Sequence, residues 1–337
     1  MSNVVGRFAP SPSGPLHLGS LLAALGSYLQ ARAQGAQWLL RVDDLDTPRI
    51  RAGAEERILD ALIDYGLRWD GVVFRQSTRG PAYQRAIEWL KSQGHAFDCG
   101  CTRREARSGK QGIEGPVYPG TCRRGLPAGR EARSVRFRAD DALLTLHDRV
   151  QGRYQQLLAR DIGDFVIQRA DGITAYQLAT VLDDAEQGVT EVVRGADLLS
   201  STPRQMAIYK AFGLAMPQYA HLPVLIDANG YKLGKSSDAP ALEAARRGET
   251  LFACLELLGQ RPPQAMRQAT AARILRWATD NWTLEAVPAR AEVTLLGVSL
   301  FSAIRRRRSW RAAAGSTRTR IRASNTKVHQ YVAFFQT

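Results

Sequence analysis

One stretch limits the fold of this 337-residue chain more than any other: Gly6-Arg7-Phe8-Ala9-Pro10-Ser11-Pro12-Ser13-Gly14-Pro15-Leu16-His17-Leu18-Gly19-Ser20. Val4 and Val5 ahead of it have apolar, β-branched strand character. Pro10, Pro12 and Gly14 break that strand. From Leu16 onward, Leu18, Leu21, Leu22, Leu25, Tyr28 and Leu29 recur at helical spacing. A strand, a tight loop and a helix start make a βα junction. Such a junction aims backbone N–H groups and the positive end of a helix dipole at a ligand, most readily a phosphate. His17 falls in the first turn of the expected helix, where it can touch a phosphate bound there.

The alternation continues. Residues 37–42 read as a second buried strand, followed by the polar loop Asp43-Asp44-Leu45-Asp46. Helices are expected over 54–65 and 81–93, the latter with proline in its first turn, with a short strand over 71–74 between them. Strands alternating with helices predict an α/β chain with a Rossmann-like parallel sheet, whose ligands bind beyond the carboxyl ends of the strands. Residues 130–160 and 164–169 alternate instead in the manner of short antiparallel strands and read as an insertion. The α/β pattern resumes at 173–184. A strand over 189–194 then leads into a helix over about 202–212, with Thr202 expected as its N-cap and Pro203 at the first helical position. Asn229-Gly230 between apolar runs is a hairpin signal, leading into the basic loop Lys232-Leu233-Gly234-Lys235-Ser236. Amphipathic helices are expected over 240–259 and 263–281.

Charge is unevenly distributed. The formal net charge is +14, and nine of those positive charges lie after Val293, where there is no Asp or Glu. A basic excess fits a nucleic-acid partner without requiring one. The segment 291–337 reads either as a basic RNA-binding arm, partly disordered, or as the product of a changed reading frame, the reading we favour. No apolar run is long enough to span a membrane, and no charged n-region precedes an apolar one. A cytoplasmic protein is expected.

Several residue groups are candidates for chemistry. The Asp43 loop is either solvated or a Mg²⁺ site. Arg194, at a strand's carboxyl end, is a candidate anion clamp, since a guanidinium grips a carboxylate bidentately; an ordinary salt bridge is the other reading. Lys232 and Lys235 could reach ATP phosphates. Cys99 and Cys101 are followed after sixteen residues by Tyr118 and after three more by Cys122. Clustered cysteines in a cytoplasmic chain favour metal over disulfide. Three thiolates need a fourth donor for tetrahedral Zn²⁺, and the nearest histidine, His95, lies four residues before Cys99.

Together these motifs resemble the glutamate branch of class I aminoacyl-tRNA synthetases. Residues 7–20 resemble its signature loop, with His17-Leu18-Gly19-Ser20 where the class has His-Ile-Gly-His. Lys232 to Ser236 resemble its Lys-Met-Ser-Lys-Ser loop, with Gly234 replacing a serine. Residues 173–205 resemble the second half of its catalytic domain. The resemblance covers about 4–289. It implies glutamate binding by Arg7, Ala9, Ser11, Asp43, Tyr176 and Arg194, with Asp43 at the place of a glutamate that holds the substrate ammonium. It implies ATP contacts from His17, Gly19, Lys232 and Lys235, His17 and Lys235 being the catalytic pair, and Mg²⁺ accompanying the nucleotide. It also implies one structural Zn²⁺ held by Cys99, Cys101, Tyr118 and Cys122, with His95 in reserve.

The branch continues into a helical anticodon-binding domain in its full-length members, for which this chain has no room. Ser20 and the zinc module match instead the short branch that moves glutamate onto queuosine in the anticodon of tRNA(Asp). The implied partners are ATP, L-glutamate and queuosine-containing tRNA(Asp), with no membrane and a monomeric enzyme. A shortened synthetase charging a tRNA 3′ end and a non-catalytic RNA-binding relative are the rival readings. The expected organisation is 1–95 and 171–240 as two halves of the catalytic domain, and 96–170 as an inserted zinc-binding, acceptor-type subdomain. A helical region follows over 241–290, with the basic tail over 291–337.

Overall fold

The structure is a computed structural model and describes residues 4–227, 230–233 and 242–294. The opening unit is strand β1 (Val5–Phe8), helix α1 (Leu18–Arg32) and strand β2 (Gln37–Val42). Helix α2 (Ala54–Asp64) then leads to the short β3 (Phe74–Arg75). β1 pairs with β2 and β2 with β3, both parallel. α1 begins at Leu18 because His17, in extended backbone, takes the N-cap position, and its Nδ1 accepts the Ser20 N–H at 3.3 Å. His17 therefore stands just before the first turn that the sequence pattern suggested for it.

After α3 (Gly80–Ser92) the chain enters the insertion. It comprises β4 (Ala96–Cys99), α4 (Arg103–Ala106), β5 (Gln111–Gly112), β6 (Gly115–Pro116), β7 (Ser134–Phe137), β8 (Leu143–Asp148), β9 (Gly152–Leu157), α5 (Leu158–Asp161) and β10 (Phe165–Gln168). β10, β7 and β4 form an antiparallel sheet, and β5–β6 and β8–β9 are hairpins. The alternation read over 130–169 thus corresponds to real antiparallel strands.

The chain then returns to the parallel layer through α6 (Tyr176–Glu186), β11 (Glu191–Gly195), α7 (Thr202–Phe212) and β12 (Gln218–Leu222). β11 and β12 pair in parallel. β11 lies on the free side of β1: the Thr190 N–H donates to the Val5 carbonyl at 3.0 Å, and the Val5 N–H to the Thr190 hydroxyl at 2.9 Å. The order is therefore β3-β2-β1, then β11-β12. The winding direction reverses between β1 and β11, and such a reversal opens a ligand crevice at the strands' carboxyl ends. Thr202 is the first helical residue of α7 and Ser201 its N-cap. The cap shifts because residues 196–201 already coil as a 3-10 turn.

β13 (Val224–Ile226), α8 (Arg247–Leu257), α9 (Ala271–Asn281) and β14 (Glu292–Thr294) complete the described chain. A 3-10 turn over 244–246 delays the start of α8, and Pro263 with the 3-10 turn over 264–266 delays that of α9, relative to their periodic patterns. β14 pairs in parallel with β13, with Leu225 opposite Val293. The folded body thus reaches Thr294, four residues into the expected tail over 291–337; the rest of that tail lies outside the described residues. One core joins Leu21, Leu25 and Leu29 of α1 and Trp38 and Leu40 of β2 to Phe252, Leu255 and Ile274 of α8 and α9. A second lies between α3, α6, α7 and the β4-β7-β10 sheet. Both faces of α1 are buried, so its pattern is apolar nearly all round. Among the described residues no helix is long and apolar enough to cross a membrane.

Candidate functional site

The signature loop is fastened to the end of β2. The Pro10 carbonyl accepts the Asp43 N–H at 3.0 Å, and the Pro12 carbonyl accepts the Arg51 N–H at 3.0 Å. Half-buried Ala9 and exposed Ser11 sit on this loop, so the opening motif and the Asp43 loop share one rim of the crevice. The lysine motif joins them from the other side. A Cβ added to Gly19 would lie 3.1 Å from the Leu233 carbonyl oxygen and 3.1 Å from His17 Cε1. Any side chain here would push these segments apart by a few tenths of an ångström. The Asp227 N–H donates to the Tyr231 carbonyl at 2.8 Å, and Lys232 pairs with Ile226 in an antiparallel bridge; Asn229, the first residue of the expected hairpin turn, lies outside the described residues. Lys232 Nζ contacts Asp197 Oδ2 at 2.5 Å. Gly234, Lys235 and Ser236 lie outside the described residues.

Arg194 ends β11 inside the crevice, 6% exposed. Its Nη1 donates to the Tyr176 hydroxyl at 3.3 Å, and its Nη2 to Thr202 Oγ1 at 2.9 Å and Gln205 Oε1 at 2.8 Å. Its Nε donates to His221 Nε2 at 3.0 Å. This last bond requires Nε2 to carry the lone pair, so the ring proton is on Nδ1. Nδ1 faces Asp148 Oδ2 at 2.6 Å. Burial pushes His221 down to about 4, against the pull of Asp148 and helped by Arg194, which keeps the ring neutral. Burial raises Asp148, but the bond to His221 outweighs it and holds the carboxyl below its ordinary range. Every hydrogen-bond partner of the Arg194 guanidinium is neutral. Among the described residues no carboxylate lies within 4.0 Å of it. A buried cation without a counter-ion is costly, and the site is prepared for an anion brought from outside.

Arg7 is arranged differently. Its Nε and Nη2 grip Asp184 of α6 at 3.1 and 3.3 Å. Arg41, fully buried, bridges Asp184 at 2.6 Å and Asp43 at 2.8 Å. Burial pushes the Asp43 carboxyl up to about 6, opposed by Arg41 and reinforced by Asp183 and Asp184. Burial also raises Asp184, but Arg7 and Arg41 outweigh it and hold that carboxyl low. Burial raises Asp183 as well, so Asp184 alone of the three acids is fully compensated, and the Asp43 carboxylate on the loop rim is suited to an ammonium.

The cysteines converge as their spacing suggests. Cys101 Sγ and Cys122 Sγ lie 3.7 Å apart, and the Tyr118 hydroxyl oxygen lies 3.5 Å from Cys99 Sγ and 3.6 Å from Cys101 Sγ. With Zn–S near 2.3 Å and Zn–O near 2.0 Å, a tetrahedron has S···S edges of roughly 3.8 Å and S···O edges of roughly 3.5 Å. These three separations match the ones zinc would impose. All three sulfurs are buried and within 4.8 Å of one another. Burial opposes ionisation of Cys99, yet hydrogen bonds with Tyr118, the Cys101 backbone and Arg136 prevail and bring it to about 7. His95 is outside this group; its ring stacks between Trp89 and Phe137.

Asp148, Asp184, Arg41 and His221 are the residues that sequence reasoning missed. They act on Arg194, Arg7 and Asp43 from remote parts of the chain: His221 bonds an acid 73 residues away, and Arg41 one 143 residues away. The only local trace is the pair Asp183-Asp184 in the stretch where the α/β pattern resumes; the structure places both on the buried face of α6.

Residues 3–261 match the family described as tRNA synthetases class I (E and Q), catalytic domain. The glutamyl-Q tRNA(Asp) synthetase of Chromobacterium violaceum is 53% identical over 292 residues, covering 86% of this chain and 97% of that protein. Its namesake from Thiobacillus denitrificans is 53% identical over 285 residues, covering 84% and 95%. A crystal structure of a glutamate tRNA ligase from Elizabethkingia meningosepticum, in complex with its amino acid, superposes with a TM-score of 0.70 at 26% identity, covering 87% of this chain and 67% of that one. On the match through the catalytic domain and on these identities, the chain belongs to the class I glutamyl- and glutaminyl-tRNA synthetase family, in its glutamyl-Q tRNA(Asp) synthetase group.

Proposed function

We propose that the enzyme activates L-glutamate with ATP and transfers the glutamyl group to queuosine in the anticodon of tRNA(Asp). The observation that carries the glutamate half is Arg194, a buried guanidinium surrounded by neutral partners only. The tRNA half rests on the relatives named glutamyl-Q tRNA(Asp) synthetase, which this chain matches along nearly their whole length.

In this reading Arg194 and Tyr176 take the side-chain carboxylate, and Asp43 takes the ammonium. Arg7 spends Nε and Nη2 on Asp184, which leaves its Nη1 edge for the second carboxylate. Ala9 and Ser11 line the pocket beside it. The α-carboxylate is then free to attack the α-phosphorus of ATP; a P–O bond forms, the bond to pyrophosphate breaks, and glutamyl-adenylate results. His17 and Gly19 at the start of α1 receive the phosphates, helped by the helix dipole. Lys232 and Lys235 stabilise the charge that develops there. Mg²⁺ would travel with the nucleotide, needing few protein ligands. In the second step a hydroxyl of the queuosine cyclopentene-diol attacks the glutamyl carbonyl and AMP leaves.

The donor set of Cys99, Cys101, Cys122 and Tyr118 fits one Zn²⁺, whose chemistry there is cross-linking alone, because four protein donors leave no open position. The segment between them contains few apolar residues, so a metal would supply order that no core can.

Glutamate-dependent exchange of pyrophosphate into ATP tests the first step. We expect exchange with glutamate and a preference over aspartate of at least ~10-fold, since aspartate's carboxylate stops one methylene short of Arg194. Arg194→Lys, which loses the planar fork, is expected to raise the glutamate KM by at least ~30-fold, about 2 kcal/mol. Equal exchange with aspartate, or an unchanged KM in the variant, would overturn the assignment.

A further inference from the structure

The β5–β6 hairpin of the insertion lies between Cys101 and Tyr118, and its tip carries Glu114. That carboxylate does not face solvent. It reaches Arg204 on the first turn of α7, with Oε2 2.7 Å from Nη1 and Oε1 3.0 Å from Nη2. The two side chains are 6% and 0% exposed. Burial pulls the Arg204 guanidinium below its ordinary range, against the pull of Glu114. An insertion and a catalytic helix are thus joined by a dry ion pair, whose separation would leave a buried charge on α7.

The same turn of α7 carries the glutamate clamp. Thr202 and Gln205, on either side of Pro203 and Arg204, accept hydrogen bonds from Arg194. Arg204 Nη2 also donates to Ser201 Oγ at 3.2 Å. Ser201 Oγ in turn accepts Gln177 Nε2 at 3.1 Å, and Gln177 follows Tyr176 in α6. Both residues that meet the substrate carboxylate are therefore braced by Ser201, Thr202 and Gln205. That turn is pinned from outside the catalytic layer by one residue of the insertion.

We infer that Glu114 is a positioning residue: docked on Arg204, the inserted hairpin holds the first turn of α7 in the register that aligns Arg194 and Tyr176 on glutamate. It touches no substrate and acts through Arg204. This inference rests on the reading of Arg194 and Tyr176 as the glutamate clamp.

The test is Glu114→Gln in the full chain, read by pyrophosphate exchange with the KM for glutamate and for ATP determined separately, and by calorimetric titration of glutamate. The glutamate KM and dissociation constant are expected to rise at least ~5-fold, with the ATP KM unchanged and kcat recovered at saturating glutamate. Where the single variant does not fold, Glu114→Gln/Arg204→Met removes the pair without stranding a charge, and the same selective rise is expected. An unchanged glutamate KM in a folded variant, or equal changes for glutamate and ATP, overturns the inference. Absence of glutamate-dependent exchange in the wild-type enzyme would instead overturn the assignment of the clamp itself.

Discussion

Arg194 and Asp43 bring opposite charges into one crevice, and the protein prepares them in different ways. Arg194 donates only to neutral acceptors, among them a histidine kept uncharged by burial. Asp43 keeps an arginine neighbour but is crowded by two other acids. Because its carboxyl is pushed up to about 6, its ionised fraction falls as the pH drops through that value. The glutamate KM is therefore expected to rise about tenfold per pH unit below 6, whereas Asp43→Asn should have a high, pH-independent KM. A wild-type KM flat from pH 8 to pH 5 would contradict the role given to Asp43. The linked stability effect has the opposite sense to that of a paired carboxylate. Burying ionised Asp43 costs stability above about pH 6, and that cost is relieved as pH falls toward 3.8. Arg194 was visible in the sequence as a basic residue at a strand end. Its lack of a counter-ion was not, since that depends on what His221, Thr202 and Gln205 bring from elsewhere.

At the level of elements, motif spacing was informative wherever a motif is local. The βα junction and the Cys99–Cys122 grouping each depend on short-range geometry, and each stands where its pattern placed it. The exceptions have local causes. His17 caps α1 because its ring bonds Ser20 N–H, and Thr202 lost the cap to Ser201 because a 3-10 turn already precedes it. The knuckle from Cys99 to Cys122 has only Phe97, Ala106 and Leu126 packed with its donors, so its order should depend on metal. Chelation is expected to open this element to trypsin at Arg103, Arg104, Arg107, Lys110, Arg123, Arg124 and Arg130, with zinc restoring resistance. A digestion pattern indifferent to chelator would show that the cysteines pack without a metal.

Over the whole molecule, the parallel sheet is made from two stretches separated by the long insertion, and the functional crevice exists only where they meet. Neither half contains the site: His17, Arg7 and Asp43 come from the first, Arg194, Tyr176 and His221 from the second. Alternating strands and helices made the sheet legible, but not the seam between β1 and β11, which is fixed by Val5 and Thr190 far apart in sequence. The insertion reaches back through Glu114 to the first turn of α7, which follows β11. In the proposed function this assembly delivers glutamate to a modified anticodon base. The direct measurement is transfer of labelled glutamate to three RNAs: tRNA(Asp) with queuosine, tRNA(Asp) without it, and tRNA(Glu). Labelling of queuosine-containing tRNA(Asp) alone is expected; labelling of tRNA(Glu), with none on queuosine-containing tRNA(Asp), would overturn the proposed function.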